Sequence, residues 1–379
     1  MANNNKHTGP NVPALRFPEF SGEWIESKLG DIADFSKGAG ISKDQRSEEG
    51  NPCILYGELY TRYKSEVITN VFSKTALPDS ELVKSKSNDI IIPASGETAE
   101  DIATARCVPF DNILLGGDLN IIRLHEQDGK FFSYQLNGVR KYNIATVAQG
   151  VSVVHLHTGD LKGITVKYPS HIAEQEKISQ ILGLIDDRIA TQSKIIEEQE
   201  TLLNSLADSL ISSQLANMAL NDCVVARSSA MKESELENSG PFPVFGASGL
   251  CGYSNEALEE SDSILVTKDG SGVGTCQYAT GAHAFLGTLC SLTAKEGVYL
   301  PYVYYALLNF NFASFKTGLA IPHIYFKDYG KAVFYCPSYD EQVRIASGLE
   351  KIEAKIKSDT ELLKQYELQK EYLLSRMFI

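Results

Sequence analysis

Two long stretches of the chain carry apolar residues at a spacing that favours helices paired along one side. In the first stretch, intervals of seven residues separate successive apolar positions, namely Leu182, Ile189, Ile196, Leu203 and Leu210. Near the C-terminus a second apolar face includes Leu349, Ile356, Leu363 and Leu373. A heptad pattern of this length is typical of a coiled-coil seam. We therefore predict long helices over residues 171–217 and 338–379 that pair as an antiparallel coiled coil.

Polar residues interrupt this predicted seam. Gln192 and Gln199 occupy its second row in the first stretch, and Asp359 stands in the second stretch where the first has Gln192. Buried polar residues in a coiled coil fix the register of the helices at some cost in stability. The alternative is that each helix packs only on the domain before it, but the heptads run longer than a local core requires.

The sequence at the start of each predicted helix occurs twice. The stretch YPSHIAEQEKISQILGLIDDRIA begins at Tyr168, and YCPSYDEQVRIASGLEKIEAKIK begins at Tyr335. The match extends upstream, where residues 150–169 align with residues 318–337 and His155 aligns with His323. A period of roughly 170 residues is the size of a domain rather than of a solenoid repeat. The chain is therefore predicted to contain a duplicated domain with its trailing helix.

Shorter patterns predict the content of these domains. Apolar runs between turn residues, such as DIIIP, LNIIRL, SILVT and KAVFY, predict β-strands, and FFSYQLN and PYVYYALLN predict short helices at corresponding places. The predicted fold class is α+β, with two similar mixed α/β domains that are each followed by a long helix. The predicted boundaries are a disordered tail at 1–11, a first domain at 12–170, a central spacer helix at 171–217, a second domain at 218–337 and a C-terminal spacer helix at 338–379.

Composition and charge narrow the class of protein. A chain of 379 residues with 43% apolar content can form two globular cores, and its polar start and lack of long apolar runs predict a cytoplasmic protein. The seven cysteines are scattered without a C-x-x-C pair, which favours free thiols over a zinc or disulfide framework. The net charge is −13, and each predicted segment from the first domain onward has more acidic than basic residues. Binding to DNA would therefore require partner chains that supply many phosphate contacts.

Motifs for catalysis are missing from the sequence. KDGSGVG, which begins at Lys268, lacks the spacing of a phosphate-binding loop, and His155 and His157 have no third metal ligand near them. There is no nucleophile elbow, zinc-protease motif or N-P-P-Y or D-P-P-Y stretch of the kind that adenine methyltransferases use. We predict a chain that recognises a partner without catalysing a reaction, with no cofactor and no metal.

Several stretches together resemble a known family. The first stretch begins at Val12 and reads VPALRFPEFSGEWIESKLGDI. The others are NDIIIPASGETAEDIATA and NILLGGDLNIIRL in the first domain, and FPVFGASGLCGYSN and VTKDGSGVG in the second. With the two E-Q-x-x-I helix starts, they resemble the specificity subunits of Type I restriction-modification systems. The resemblance runs from Val12 to the C-terminus. One departure is an extra residue between Ser170 and Glu174, which disturbs the capping pattern of the first helix.

This resemblance implies a non-catalytic protein that reads DNA. Each domain would read one half of a bipartite double-stranded target, and the paired helices would set the distance between the halves. Two methyltransferase subunits would dock on those helices, and restriction and translocase subunits would join the complex for cleavage. The alternative is a coiled-coil scaffold whose paired domains bind proteins rather than DNA, which the acidic charge would suit.

Candidate DNA-binding residues are polar or basic side chains near predicted loops, because such groups contact base edges and phosphates. In the first domain the candidates are Lys37, Arg62, Tyr63, Lys64, Ser95, Glu97, Thr98, Arg140, Lys141 and Gln149. In the second domain they are Lys268, Ser271, Lys316, His323, Tyr325 and Lys327. Ser95–Gly96 and Lys268–Gly270 have the best support, because each follows a predicted strand at corresponding positions of the repeat.

Overall fold

The computed structural model of the chain describes residues 11–78, 82–150, 153–318 and 321–379. The predicted disordered tail lies outside these ranges, apart from Asn11. The chain divides into two compact units, of which the first comprises the residues up to Thr191 together with Leu363–Ile379 and the second comprises Gln192–Leu362. Each long helix contributes one segment to each unit.

The first unit contains a mixed domain built on two small sheets. Its strands are β1 (Ile25–Lys28), β2 (Ala33–Lys37), β3 (Asn51–Ile54), β4 (Ser73–Thr75), β5 (Asp89–Pro93), β6 (Ser95–Gly96), β7 (Arg106–Val108), β8 (Leu114–Leu115), β9 (Leu119–Leu124), β10 (Val154–His155) and β11 (Thr165–Tyr168). Four strands form an antiparallel sheet in the order β2-β9-β5-β7, and three form a sheet in the order β4-β3-β8 with β3 and β8 parallel. Antiparallel pairs β1–β11 and β6–β10 complete the domain.

Short helices cover the sheets and enclose the first core. They are α1 (Leu29–Ile32), α2 (Glu58–Thr61), α3 (Ala99–Ile102), α4 (Gly129–Asn137), α5 (Lys141–Val147) and α6 (Thr158–Lys162). Strand β5 is buried along its whole length, as the apolar run after Asp89 indicates. Helix α4 begins where the Asp128 carboxylate accepts hydrogen bonds from the N–H groups of Lys130 and Phe131, at 3.1 and 3.3 Å. The apolar face of α4 then buries Phe131 in the core that also contains Trp24.

The second unit repeats this plan. Its strands are β12 (Met218–Ala219), β13 (Val224–Ser228), β14 (Phe242–Gly246), β15 (Gly249–Ser254), β16 (Ser263–Thr267), β17 (Cys276–Ala279), β18 (Ala284–Phe285), β19 (Leu289–Ala294) and β20 (Val333–Phe334), and its short helices are α8 (Leu220–Cys223), α9 (Leu300–Leu308) and α10 (Phe326–Tyr329). The orders β13-β19-β16-β17 and β15-β14-β18, with β14 and β18 parallel, reproduce those of the first domain. The predicted duplication of an α+β domain is therefore confirmed.

The two long helices are α7 (Ile172–Ala207) and α11 (Tyr339–Met377). In the first unit, Leu182 near the start of α7 shares a core with Leu373 near the end of α11. In the second unit, Leu203 near the end of α7 shares a core with Leu349 near the start of α11. The helices therefore pair in antiparallel fashion, as the heptads predict. Ile189, Ile196, Ile356 and Leu363 are half-buried along the same helices.

The polar residues that interrupt the apolar rows meet one another in the second unit. The side-chain amides of Gln192 and Gln199 donate to the backbone carbonyl and the carboxylate of Asp359, at 3.3 and 2.8 Å. The Lys355 ammonium contacts the same carboxylate at 2.6 Å. These donors, Lys355 first, lower the pKa of Asp359. Asp359 is therefore held buried and charged between the helices.

Each long helix is joined to its own domain through a glutamine of the repeat. The Gln175 side chain accepts from the Asp128 N–H at 3.0 Å and donates to the Pro169 carbonyl at 2.9 Å. In the second unit the Gln342 side chain accepts from the Tyr299 N–H and donates to the Pro337 carbonyl, both at 2.9 Å. The repeated glutamine thus fixes each helix start against its domain.

One predicted seam residue is wrong. Leu210 is 38% exposed, whereas the neighbouring Ile211 is 1% exposed and packs in the core with Leu203. The reason is a π-helical turn at Asp208–Ser212, which accommodates one extra residue and rotates the following side chains out of the heptad phase. The α-helix ends at Ala207 and the π-helical turn at Ser212, five residues before the predicted boundary at 217.

Candidate nucleic-acid interface

A short hairpin in the first domain lies against the end of the central strand β5. Gln149 and His155 exchange backbone hydrogen bonds, with N–H to carbonyl distances of 2.9 Å from Gln149 and 2.7 Å from His155. His155 in turn pairs with Ser95 in the β6–β10 ladder. Gly150 has a φ of +135°, and a Cβ atom there would collide with the Val153 carbonyl oxygen, so the turn requires glycine. We call Ser95, Gly96, Gln149 and His155 the first hairpin site.

The second domain contains the same hairpin, with Thr317 in place of Gln149 and a histidine again at the partner position. Thr317 and His323 exchange backbone hydrogen bonds at 2.9 Å in both directions, and His323 forms a β-bridge with Asp269. Gly318 has a φ of +86°, and a Cβ atom there would collide with the Ile321 carbonyl oxygen. We call Asp269, Gly270, Thr317 and His323 the second hairpin site.

Backbone hydrogen bonds establish which residues of the two sites correspond. The Leu156 N–H donates to the Ala94 carbonyl at 3.0 Å, and the Ile324 N–H donates to the Lys268 carbonyl at 2.9 Å. Lys268 therefore corresponds to Ala94, and Asp269 corresponds to Ser95. The two stretches predicted to correspond, Ser95–Gly96 and Lys268–Gly270, therefore align with Ser95 at the position of Asp269 and with Lys268 one residue earlier. The polypeptide path, the histidine and the glycine are common to both sites, whereas Ser95 and Gln149 are replaced by Asp269 and Thr317.

The edge of the first sheet places further polar groups beside the first hairpin site. Lys37 ends β2 and pairs with Asn120, while Pro93 at the end of β5 pairs with Leu119. These neighbouring pairings put the exposed Lys37 side chain at the same edge as the Pro93–Ser95 turn. His155 and His157 stack with ring centroids 6.5 Å apart, and both are exposed.

Ser95, Glu97 and Thr98 follow β5 at this edge. Ser95 is only 8% exposed, so its backbone is committed to the hairpin ladder and its side chain has little contact with solvent. Glu97 and Thr98 are exposed. The Thr98 hydroxyl accepts from the Asp101 N–H at 3.1 Å and so caps α3.

The second hairpin site carries a different set of charged and aromatic groups. The Lys268 ammonium contacts the Asp269 carboxylate at 2.6 Å. The rings of His323 and Tyr325 are 5.4 Å apart, and the Lys327 ammonium lies 5.2 Å from the centre of the Tyr325 ring. Ser271, Lys316, Tyr325 and Lys327 are all exposed.

Two residues predicted to contact DNA, Tyr63 and Arg140, make contacts within the first domain instead. Tyr63 is 5% exposed and packs in the core under β5, where burial raises the pKa of its hydroxyl to about 12. Its side chain cannot face DNA. The half-buried Arg140 guanidinium donates to the carbonyls of Thr165 and Ile379, both at 2.8 Å, and so joins two chain segments. Desolvation lowers the pKa of Arg140.

Three other predicted residues of the first domain lie on its surface. Arg62 stacks over the Phe72 ring at 4.9 Å and contacts Glu58 at 3.4 Å. Lys64 follows it as an exposed residue, and Lys141 begins α5 with its side chain exposed. None of the three takes part in the backbone ladder that defines the first hairpin site.

Residues outside the list of candidates complete both sites. His155 and Thr317 form the ladders directly, and Asp269 occupies the position that corresponds to Ser95. The alignment of His155 with His323 was a signal for the first of these. Ser228 pairs with Cys290 at the edge of the second sheet, at the place that Lys37 has in the first. No pattern in the sequence singled out Ser228.

Comparison with known proteins identifies the family. A model of the Type I restriction modification DNA specificity domain matches the chain twice, over residues 21–201 and 215–368. The chain belongs to this family. It is a Type I specificity subunit with two recognition domains. In the ranges that the structure describes, every helix is too short or too polar to span a lipid bilayer.

Individual relatives agree with this assignment of the specificity subunit. A Mycoplasma pneumoniae protein named as a type I specificity subunit is 23% identical, with 57% of this chain and 67% of that protein covered. The crystal structure of a Type I restriction-modification S subunit from M. genitalium has a TM-score of 0.70 at 20% identity, covering 97% of this chain and 99% of that one. A chain from a study of complex assembly and conformational transition in the type I R-M system has a TM-score of 0.55 at 13% identity, covering 94% and 97%. These structures show a shared fold.

Proposed function

We propose that this specificity subunit binds double-stranded DNA at a bipartite target and that each hairpin site reads one half of it. The observation that carries this proposal is the common backbone ladder of the two sites, which keeps its histidine and its glycine but changes Ser95 to Asp269 and Gln149 to Thr317. A rigid backbone with variable polar side chains is suited to base readout, because base edges are distinguished by hydrogen-bond donors and acceptors.

The chemistry of the two sites predicts different half-sites. In the first, the Gln149 amide can form the bidentate pair that glutamine makes with adenine, and Lys37 can contact a phosphate or a guanine. In the second, the Asp269 carboxylate can accept from the amino group of cytosine, while Thr317 and His323 can donate or accept. Lys316 and Lys327 would position the phosphate backbone.

Partner chains complete the proposed complex. Since the chain carries a net charge of −13, two methyltransferase subunits would provide most of the phosphate contacts and the catalytic residues. Exposed apolar side chains on the long helices offer them a surface; in the first unit these are Leu184, Leu368 and Tyr372, and in the second unit Ile195, Leu202 and Leu362. Restriction and translocase subunits would join for cleavage. The specificity subunit itself would contribute no catalysis, cofactor or metal and would act in the cytoplasm.

Methylation profiling of the reconstituted complex tests this function. The chain, co-purified with its methyltransferase subunits, should methylate DNA only at one bipartite sequence. Gln149→Ala should relax one half of that sequence by about 1–3 kcal/mol of discrimination and leave the other half unchanged. Exchange of residues 218–337 for those of another family member should change the other half alone.

Lys194→Ala, an exposed substitution on α7 with a side chain 75% accessible, serves as the matched control and should leave both halves unchanged. Methylation that is independent of sequence would contradict the proposed function. Altered recognition of both halves by Gln149→Ala would contradict the assignment of one hairpin site to each half.

A further inference from the structure

Two buried cysteines of the second unit lie side by side. The Sγ atoms of Cys223 and Cys336 are 3.9 Å apart, although 113 residues separate them in sequence. Cys223 is 0% exposed and Cys336 is 5% exposed, and both belong to the core of the second recognition domain. Neither residue belongs to the second hairpin site, and the proposed DNA-binding function makes no use of either thiol.

The surrounding structure holds these two cysteines together without help from the thiols. Cys223 ends α8, immediately after β12, and Cys336 follows β20 just before α11; β12 and β20 are paired. The Asn217 side chain accepts from the Cys336 N–H at 2.8 Å and donates to the Cys336 carbonyl at 3.0 Å. The polypeptide segments that carry the two sulfurs are therefore already fixed next to each other.

The environment of the two sulfurs also makes them chemically unequal. The Cys223 thiol donates toward the Cys336 sulfur, and the Gln342 side-chain amide donates to that same sulfur at 3.5 Å. The hydrogen bond from Cys223 lowers the pKa of Cys336 and raises the pKa of Cys223. The Gln342 amide would also stabilise a negative charge on the Cys336 sulfur, so Cys336 is the better nucleophile of the pair, because the thiolate is the reactive form of cysteine.

We propose that Cys223 and Cys336 form an oxidation site that closes to a reversible disulfide and joins the two ends of the second recognition domain. A disulfide has a sulfur–sulfur distance of about 2.05 Å, so the sulfurs must approach by roughly 2 Å, mainly by side-chain rotation. The oxidant is a peroxide. No other described pair of cysteines has such a short recorded sulfur–sulfur contact.

The reaction balances in two steps. The Cys336 thiolate attacks one oxygen of hydrogen peroxide, which breaks the O–O bond and gives a sulfenic acid and hydroxide. The Cys223 sulfur then attacks the sulfenic sulfur, forms the S–S bond and expels the sulfenic oxygen as water, with the thiol proton. In sum, two thiols are oxidised to one disulfide and one peroxide is reduced to two waters. Thiol–disulfide exchange with a cellular dithiol reverses the change.

The cross-link would stabilise the second recognition domain. It closes a loop of 113 residues, and a loop of about that length restricts the unfolded chain strongly. The melting temperature of the oxidised chain should rise by about 5–10 °C. Because Cys336 stands directly before α11, the cross-link would also fix the path from the domain into that helix.

Peptide mapping of the full-length chain tests the proposal without any substitution. The chain is treated with hydrogen peroxide, blocked with N-ethylmaleimide and digested with trypsin. Cys223 lies in the tryptic peptide 195–227 and Cys336 in the peptide 332–344. Mass spectrometry should find these two peptides joined, and dithiothreitol should separate them. The rise in melting temperature should appear and disappear with the joined species.

Cysteine variants test which two sulfur atoms form the disulfide. Cys336→Ser and Cys223→Ala should each abolish the joined peptide and the rise in melting temperature, while Cys251→Ser, at an exposed cysteine, should abolish neither. Absence of the joined peptide when peroxide has already oxidised Cys251 would overturn the proposal. A joined peptide that forms only in urea, or one that leaves the melting temperature unchanged or lower, would also overturn it.

Discussion

The two recognition domains contact the long helices through different kinds of interaction. In the first, the Lys370 ammonium of α11 contacts the carboxylates of Glu66 and Asp186, at 2.5 and 2.7 Å, and the Tyr134 hydroxyl donates to Asp186 at 2.6 Å. We call these four residues the first junction. Glu66 and Asp186 are 7% and 9% exposed, so the first junction is a buried ionic cluster.

The second domain uses apolar packing at the corresponding place. The alignment that places Gln175 over Gln342 also places Leu203 over Lys370 and Asp186 over Glu353. Leu203 packs with Tyr302 and Tyr305, and the Tyr305 hydroxyl donates to Glu353 at 2.6 Å. We call Leu203, Tyr302, Tyr305 and Glu353 the second junction. A duplicated architecture therefore keeps the tyrosine–carboxylate bond, while the position opposite it changes from a cation to a leucine.

The two junctions should differ most in free energy of unfolding when methionine replaces Lys370 in one and Leu203 in the other. Lys370→Met should lower the free energy of unfolding by about 3–5 kcal/mol, because it leaves two buried carboxylates without their cation. Leu203→Met should cost less than about 1.5 kcal/mol, because it conserves apolar volume. Urea unfolding of each full-length variant measures both, with the exposed Lys364→Met as control. Equal losses at the two positions would show that the ionic cluster has no special role.

Removal of one tyrosine hydroxyl from each junction should again lower the free energy of unfolding more in the first junction than in the second. This difference should be smaller than that between the methionine variants. Tyr134→Phe should cost about 1.5–3 kcal/mol, since the buried Asp186 loses a hydrogen bond to a charged acceptor. Tyr305→Phe should cost about 1 kcal/mol, because Glu353 is only half-buried and water can replace the hydroxyl. The two variants conserve ring packing, so unfolding curves report the hydrogen bonds. A larger cost for Tyr305→Phe would reverse the ranking of the junctions.

The smallest expected effect is a pH dependence confined to the first junction. Burial raises the pKa of Glu66, which Lys370 only partly opposes. A carboxyl with a raised pKa in the folded chain stabilises the fold below its unfolded pKa and loses that contribution as the pH rises through the folded pKa. The unfolding free energy of the native chain should therefore fall relative to Glu66→Gln as the pH rises above about 4.5. A difference that grows in the opposite direction would contradict this assignment.

Features that depend on local periodicity could be predicted from the sequence. The heptads of α7 and α11 and the repeated glutamines identified the duplicated domains and the antiparallel helices, because one apolar row implies one buried face. Leu210 was misassigned because the π-helical turn after Ala207 changes the phase, and the heptads continue through it without a break.

The hairpin sites depended on contacts that the sequence does not display. Ser95 and His155 are partners across 60 residues, and their pairing follows from the sheet rather than from any local pattern. Tyr63 and Arg140 have side chains typical of DNA contacts, yet tertiary packing buries one and engages the other. Lys370 is a lysine on a mostly exposed helical surface, so only the structure reveals its buried partners.

The contact of Gln192 and Gln199 with Asp359 has a consequence for how the separation of the two proposed half-sites can evolve. A heptad inserted into α7 alone, between Gln192 and Gln199, would leave only one of the two glutamines within reach of Asp359. The same heptad added to both helices on one side of this contact would keep all three residues together. Natural or engineered changes in spacer length should therefore occur as matched pairs of insertions, one in each half of the gene.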